Sequence, residues 1–285
     1  MKDSEIKKTV REGYAKIAKR GSCCSSPVSS CCGSPGSVQD ISERIGYTKE
    51  ELEIVPQGAN LGLGCGNPVA LASLREGETV VDLGSGVGFD CFLAANKVGK
   101  TGRVIGVDMT PEMIEKAREN TEKGNYTNVE FRLGEIEHLP VADNAANIVI
   151  SNCVINLAPD KRMVFEEVFR ILKPGGRLMI SDIVLLKKLP DFIKNSATAY
   201  VGCISGAIMK EEYLATIQAA GFQKVDITGE AIFPVGWLAN DPTVQATIKA
   251  LEIPSEHVKD IANSVISIKV QAVKPNLTGQ TVPRQ

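Results

Sequence analysis

An α/β fold, with an open and mostly parallel sheet covered by helices on both faces, is what this sequence predicts, and three observations carry that prediction. Val80, Val81 and Leu83 form the short apolar run of a strand covered on both sides. Gly84, Gly86 and Gly88 place a turn directly behind it, and residues 89–98 resume helical spacing, with Phe92, Ala95 and Val98 set to meet a sheet. The alternation then recurs, with strands over residues 103–108, 128–133, 146–151 and 177–182 and helices among them, as in a doubly covered sheet.

Before that core, residues 4–20 repeat Ile6, Val10, Tyr14 and Ile17 at helical spacing, the pattern of an amphipathic helix packing on the body or serving as a lid. Residues 21–36 are rich in serine, glycine and proline and carry Cys23-Cys24 and Cys31-Cys32, a flexible arm with two vicinal thiol pairs. That arm reads as a soft-metal or metalloid site, as thiols exchanging with a disulfide elsewhere, or as a plain oxidation-prone tether. A second helical patch follows over 39–54, where Thr48 and Glu51 suit a capped start. The loop over 56–68 sets Cys65 between Gly64 and Gly66, which predicts a thiol with little steric cover.

Downstream, Thr110-Pro111-Glu112 opens a helix with an N-cap, a proline at the first helical position and an acid in the first turn. A helix over 160–172 ends at the stop signal Lys173-Pro174-Gly175-Gly176. An insertion over 184–209 places Cys203 among Gly202, Ser205, Gly206 and Ala207, small neighbours that fit either an accessible thiol or a close helix contact. A helix over 210–220, a strand over 223–227 and a last, alternating strand over 264–273 complete the body. Residues 231–263 hold Trp237 and a helical patch without an assignment. The organisation expected is an N-terminal part over 1–72, a main domain over 73–273 and a polar tail over 274–285.

With 285 residues, 43% of them hydrophobic, the chain supports one large domain with additions. A net charge of −2 without a basic stretch argues against nucleic-acid binding. No apolar run reaches transmembrane length and no signal-peptide pattern opens the chain, so a cytoplasmic protein without a membrane partner is expected. Eight cysteines in such a setting point to ligands or redox groups rather than a disulfide framework. Two histidines, His138 and His257, supply neither a histidine-rich metal site nor a serine triad well.

The glycine spacing narrows the cofactor. A dinucleotide fingerprint counted from Gly84 needs its third glycine at residue 89, which is Phe89, and no Gly-Lys-Ser/Thr run follows for a phosphate loop. The motif present is Asp82-x-Gly84-x-Gly86-x-Gly88, joined twenty residues on by Asp108 at the end of the next strand. A carboxylate there takes both hydroxyls of a ribose. Acids beside a glycine turn suit a cofactor with a sulfonium and no phosphate, S-adenosylmethionine. Asp82, Gly84, Ser85, Gly86, Gly88, Asp108 and Met109 are therefore expected to bind it, with Asn152 at the end of the fourth strand. Glu135 and Ile136 follow the third strand, where a carboxylate and a backbone N–H would meet an adenine, unless Glu135 is simply a surface acid. Cys153 stands two residues past the fourth strand, where substrate would meet the methyl group of the cofactor, or else it is a buried core thiol.

Asp82-Leu83-Gly84-Ser85-Gly86-Val87-Gly88-Phe89-Asp90-Cys91, Gly106-Val107-Asp108-Met109-Thr110 and Ser151-Asn152-Cys153-Val154-Ile155-Asn156-Leu157 resemble the arsenite S-adenosylmethionine methyltransferases, as does Gly202-Cys203 in its setting. The likeness covers roughly residues 45 to 230. It implies the class I methyltransferase fold, Rossmann-like and seven-stranded with an antiparallel last strand. It also implies that Cys65, Cys153 and Cys203 hold trivalent arsenic, delivered as a thiol complex. The resemblance further implies an N-terminal cysteine, Cys31 or Cys32, that forms a disulfide in turnover and is re-reduced by thioredoxin or a small thiol such as glutathione. Two alternatives stand beside it: a methyltransferase of small organic molecules with structural cysteines, and a metalloid-binding protein without turnover, which would not need a cofactor pocket.

Overall fold

The computed structural model describes residues 2–20, 38–71, 73–194, 196–232 and 263–276. The cysteine arm with Cys23, Cys24, Cys31 and Cys32, the Trp237 patch and most of the polar tail lie outside the described residues. Helices α1 (Asp3–Arg20), α2 (Val38–Arg44), α3 (Lys49–Glu53) and α4 (Pro68–Leu71) precede the sheet. Then come β1 (Thr79–Leu83), α5 (Phe89–Val98), β2 (Arg103–Asp108), α6 (Pro111–Lys123), β3 (Val129–Leu133) and β4 (Ala146–Asn152). A 3₁₀ turn at Ile155–Leu157 leads to α7 (Lys161–Ile171), β5 (Leu172–Leu185), α8 (Asp191–Lys194), α9 (Ala197–Val201), α10 (Lys210–Ala219), β6 (Gln223–Ile232) and β7 (Val265–Val273).

The sheet has the order β3-β2-β1-β4-β5-β7-β6. Its pairs from β3 through β5 are parallel, and β7 lies antiparallel between β5 and β6. Strand order reverses between β1 and β4, which opens a crevice beyond their C-terminal ends. Alternation along β1 explains the two cores. Val81 and Leu83 join Phe165, Val168, Tyr213 and Ile217 on one face, while Val80 joins Phe92, Val98 and Ile114 on the other. A third cluster unites Val10, Cys65, Cys153, Leu157, Ile183 and Cys203 with other apolar residues, and includes groups from α1 and from the chain just past β4.

Local chemistry sets the element ends. Thr48 accepts from the Glu51 N–H (3.2 Å) while Glu51 accepts from the Thr48 N–H (3.1 Å), a full capping box on α3. Asp160 caps α7 by accepting from the Met163 N–H at 3.0 Å. The expected helix over 160–172 stops one residue earlier, because Pro174 disfavours a helical Lys173 and Leu172 is already extended (φ −70°, ψ 140°). Lys173-Pro174-Gly175-Gly176 is a bulge inside β5 rather than a loop ahead of it: the pairing with β4 shifts between Ala146 and Ile148, and Gly175 takes φ +76°. β6 likewise runs five residues beyond the expected 223–227, because β7 is long enough to pair with it out to Ile266.

Phe165 is fully buried and meets the Tyr213 ring edge-on at 5.6 Å between centroids. Phe165→Ala is expected to lower the unfolding free energy by about 3–5 kcal/mol, read from urea melts; a loss below about 1 kcal/mol would show that the α7 face is not the principal core.

Candidate active site

The turn after β1 takes the left-handed backbone at Gly84, Gly86 and Gly88 (φ +62°, +53° and +98°). A Cβ at Gly88 would stand 2.6 Å from Phe131, so that glycine serves packing, whereas a Cβ at Gly86 would meet nothing within 4 Å. The backbone at Gly86 therefore faces the cavity and can lie against a ligand. Its N–H donates to Asp108 Oδ2 (2.9 Å) and the Thr110 N–H donates to Asp108 Oδ1 (2.8 Å). Each carboxylate oxygen keeps acceptor capacity for a ligand hydroxyl. Burial pushes the Asp108 carboxyl up and these bonds oppose it. Ser85 Oγ is buried, lines the cavity and has no hydrogen-bond partner among the described residues. Asp82 accepts from the Cys91 thiol at 3.2 Å, and its carboxyl is driven well up by burial and by the charge of Asp90.

Asp82, Gly84, Ser85, Gly86 and Asp108 line one cavity of about 200 Å³, together with Met109, Ile136 and Asn152, whereas Gly88 does not. Lys7, Val10, Tyr14 and Ile17 of α1 close it from outside. Glu135 is not among the lining residues. Its carboxylate is held by Lys7 (2.7 Å) and Arg11 (3.7 Å) of α1, so the acid expected at an adenine is instead a strut for the helix above. The acid that lines the cavity beside Lys7 is the buried Glu137, 3.0 Å from its ammonium, which the sequence did not single out.

Cys65, Cys153 and Cys203 all line this cavity and are all buried. Cys65 and Cys153 are joined in a disulfide with their Cα atoms 5.8 Å apart, one pair among the described residues rather than a framework. One expectation fails: the sulfur of Cys65 is not uncovered. At Gly64 (φ +108°) a Cβ would lie 2.6 Å from Asn152 Nδ2, and at Gly66 it would run into Ser181, so glycine here lets the loop press against the strand ends. Gly206 likewise packs on the Asn156 carbonyl, and Cys203 is reduced, its Sγ donating to the Cys153 carbonyl at 2.9 Å. Cys153 and Cys203 both adopt left-handed backbones (φ +55° and +62°), unusual for residues with a side chain.

Asn152 binds protein on every side. Its Oδ1 accepts from the Cys65 N–H (3.0 Å), and its Nδ2 reaches the Gly66 carbonyl (2.8 Å), Tyr47 Oη (2.9 Å) and Asp90 Oδ2 (3.1 Å). Tyr47 donates to Asp90 Oδ1 at 2.7 Å. Ser267 adds a bond to the Cys65 carbonyl at 2.9 Å. Behind the disulfide stands Asp182, fully buried and bonded by Ile183 N–H, Asn156 and Tyr213. Burial pushes its carboxyl up to about 6, against those bonds and the Lys161 ammonium. Because the folded value lies above the ordinary 3.8, the native state binds the extra proton between about 4 and 6, and this contribution to stability fades as pH rises through that window. Asp182→Asn keeps a carbonyl acceptor and removes the titration. The stability of the variant relative to the parent is expected to rise from pH 4 to 7 in urea melts; a flat difference would show that the carboxyl titrates normally.

Comparison with known proteins places this arrangement. Residues 74–221 match the family described as a methyltransferase domain. An arsenite methyltransferase of Halobacterium salinarum is 52% identical over 229 residues, 78% of this chain and 59% of that protein. The arsenite methyltransferase of Rattus norvegicus is 31% identical over 273 residues, 89% of this chain and 70% of its own. The solved arsenic(III) S-adenosylmethionine methyltransferase of Chlamydomonas reinhardtii superposes with a TM-score of 0.62 at 29% identity, covering 87% of this chain and 76% of that one. The chain spans 59% of the length of the Halobacterium and human relatives it matches. With its sheet order, its glycine turn and its three cysteines at one cavity, the chain belongs to the arsenite methyltransferase family.

Proposed function

We propose that this chain transfers methyl groups from S-adenosylmethionine to trivalent arsenic bound by cysteine sulfur. The observation that carries the reading is that Cys65, Cys153 and Cys203 line the same cavity as Gly86 and Asp108. S-adenosylmethionine, when bound, supplies an activated methyl group whose leaving sulfide needs no acid catalyst. The residues present fit it: Asp108 keeps acceptor capacity for ribose hydroxyls, Ser85 Oγ lacks a protein partner, and Gly86 offers open backbone. Asp82 and Asp90 line the same cavity, where a cationic ligand would favour their ionised forms over the neutral ones that burial favours.

The substrate side is built from sulfur because trivalent arsenic is soft and prefers thiolates. Three thiolates would hold it as a pyramid with its lone pair free toward the methyl group, a near-attack arrangement that contributes up to roughly 7–11 kcal/mol in ideal cases. Asn152 and Ser267 fix the Cys65 backbone, and the Cys203 thiol already lies on the Cys153 carbonyl. Ligation by all three needs the Cys65–Cys153 bond opened, which takes two electrons and two protons; thioredoxin or glutathione would supply them by thiol–disulfide exchange. Cys31 or Cys32 of the arm could relay that exchange.

Release of S-adenosylhomocysteine that depends on added arsenite, with a thiol present, is the direct test. Cys153→Ser is expected to abolish it, whereas a methyltransferase of organic substrates would barely change. Asp108→Ala is expected to weaken cofactor binding in calorimetry by about tenfold or more, since two charge-assisted bonds are lost, while arsenite binding stays nearly intact. Unchanged cofactor affinity would remove Asp108 from the site.

A further inference from the structure

We propose that the Cys65–Cys153 pair, once reduced, forms with Asp182 a binding site for a thiophilic divalent cation of the zinc or cadmium class. One sulfur from each cysteine and a carboxylate oxygen of Asp182 lie within 4.8 Å of one another, and all three residues are buried. Among the described residues this is the one such group of three. Cys203 is not part of it, for its thiol is turned to the Cys153 carbonyl.

The third ligand is already oriented. Asp182 Oδ1 accepts from the Ile183 N–H (2.8 Å) and from Asn156 Nδ2 (2.9 Å), and Oδ2 accepts from Tyr213 Oη (2.9 Å). A carboxylate has about four acceptor positions, so three bonds fix its plane and leave capacity on Oδ2. Outer groups that orient a ligand in this way are what a built metal site carries. The sulfur side is equally fixed: Cys65 is held by Asn152 and Ser267, and the Cys153 N–H donates to the Ser181 carbonyl at 2.8 Å. Tetrahedral coordination at metal–sulfur distances of about 2.3 Å needs the sulfurs roughly 3.8 Å apart. Rotation about the two Cα–Cβ bonds reaches that separation from Cα atoms 5.8 Å apart.

Ligand type separates this site from the arsenic reading, on which it does not rest. Trivalent arsenic asks for a third thiolate, whereas zinc-like cations take carboxylate oxygen beside thiolate and leave a fourth position to water. Opening the disulfide with a phosphine and water yields two thiols and a phosphine oxide. Binding then releases two protons as two thiolates and one carboxylate meet the dication. The residual negative charge is opposed by Lys161, a buried ammonium that is attracted by Asp182 and donates to the Ala158 carbonyl at 3.3 Å. A cation held here occupies two of the sulfurs that arsenic would use.

The test uses the full chain with Cys23, Cys24, Cys31 and Cys32 changed to Ser, reduced by a phosphine and titrated with Cd²⁺. Ultraviolet thiolate-to-cadmium charge transfer gives stoichiometry, and the ¹¹³Cd chemical shift gives the donor set. One Cd²⁺ per chain in a two-sulfur, oxygen-containing environment is expected. Asp182→Asn is expected to weaken binding by about 10–100-fold or more, while Cys203→Ser changes it less than about threefold. A three-sulfur shift, loss of binding in Cys203→Ser, unchanged affinity in Asp182→Asn, or no binding overturns the proposal. Should Asp182→Asn fail to fold, the chemical shift of the parent decides alone. None of these readouts involves methyl transfer, so failure here and failure of the methyltransferase reading are separate results.

Discussion

The amide of Asn152 sits at the last position of β4, and the geometry of the cavity hangs on it. Its oxygen holds the backbone of Cys65, and its nitrogen spans the Gly66 carbonyl, Tyr47 and Asp90. Two hydrogens serve three acceptors, so these bonds are partly shared. At about 1 kcal/mol for each buried bond, the cluster is worth a few kcal/mol, and its loss would leave several buried groups unsatisfied. The loop it ties down is intrinsically loose, with Gly62 and Gly64 both at positive φ. Because Asp90 lies in the first turn of α5, directly behind the glycine turn, the sulfur loop and the cofactor turn are held as one body.

The charge pattern of the cavity follows the same logic from the other side. Asp82, Asp90, Asp108 and Glu137 line it, with Lys7 as a cation among them. Burial drives the Asp82, Asp90 and Asp108 carboxyls upward, Asp90 to about 6. A lining of this kind is strained electrostatically until a positive group arrives, and a sulfonium or an α-ammonium relieves it. The apolar third cluster behind the sulfurs keeps water away from the side where soft-ion chemistry would take place.

The backbone was readable because its signals are local. A β-branched run, three glycines at alternate positions, Pro111 behind Thr110 and the Thr48–Glu51 box each act within a few residues, and the elements lie where those signals set them. That the three cysteines share one site was implied by resemblance, and all three line one cavity. The exposure of Cys65 was misread because a glycine neighbour has two opposite uses, uncovering a side chain or letting the backbone press close, and only the packing partner decides. Around Cys65 the partners are Asn152 and Ser181, both distant in sequence. Glu135 stands outside the cavity lining for a similar reason, since its partners Lys7 and Arg11 lie more than a hundred residues away. Asp90 and Asp182 left a usable trace: each is an acid inside an otherwise apolar run, a placement that implies paired burial.

The backbones of Cys153 and Cys203 turn the wrong way for a residue with a side chain. Asparagine or glycine would relax both corners, and a β-branched substitute would scarcely fit either. Neutral drift at these two places is thus funnelled toward residues that soften the turn while discarding the sulfur. A lineage that keeps its thiols there does so uphill of its own conformational preference, so relatives that have lost a sulfur at one of the two bends should carry Asn or Gly in its place.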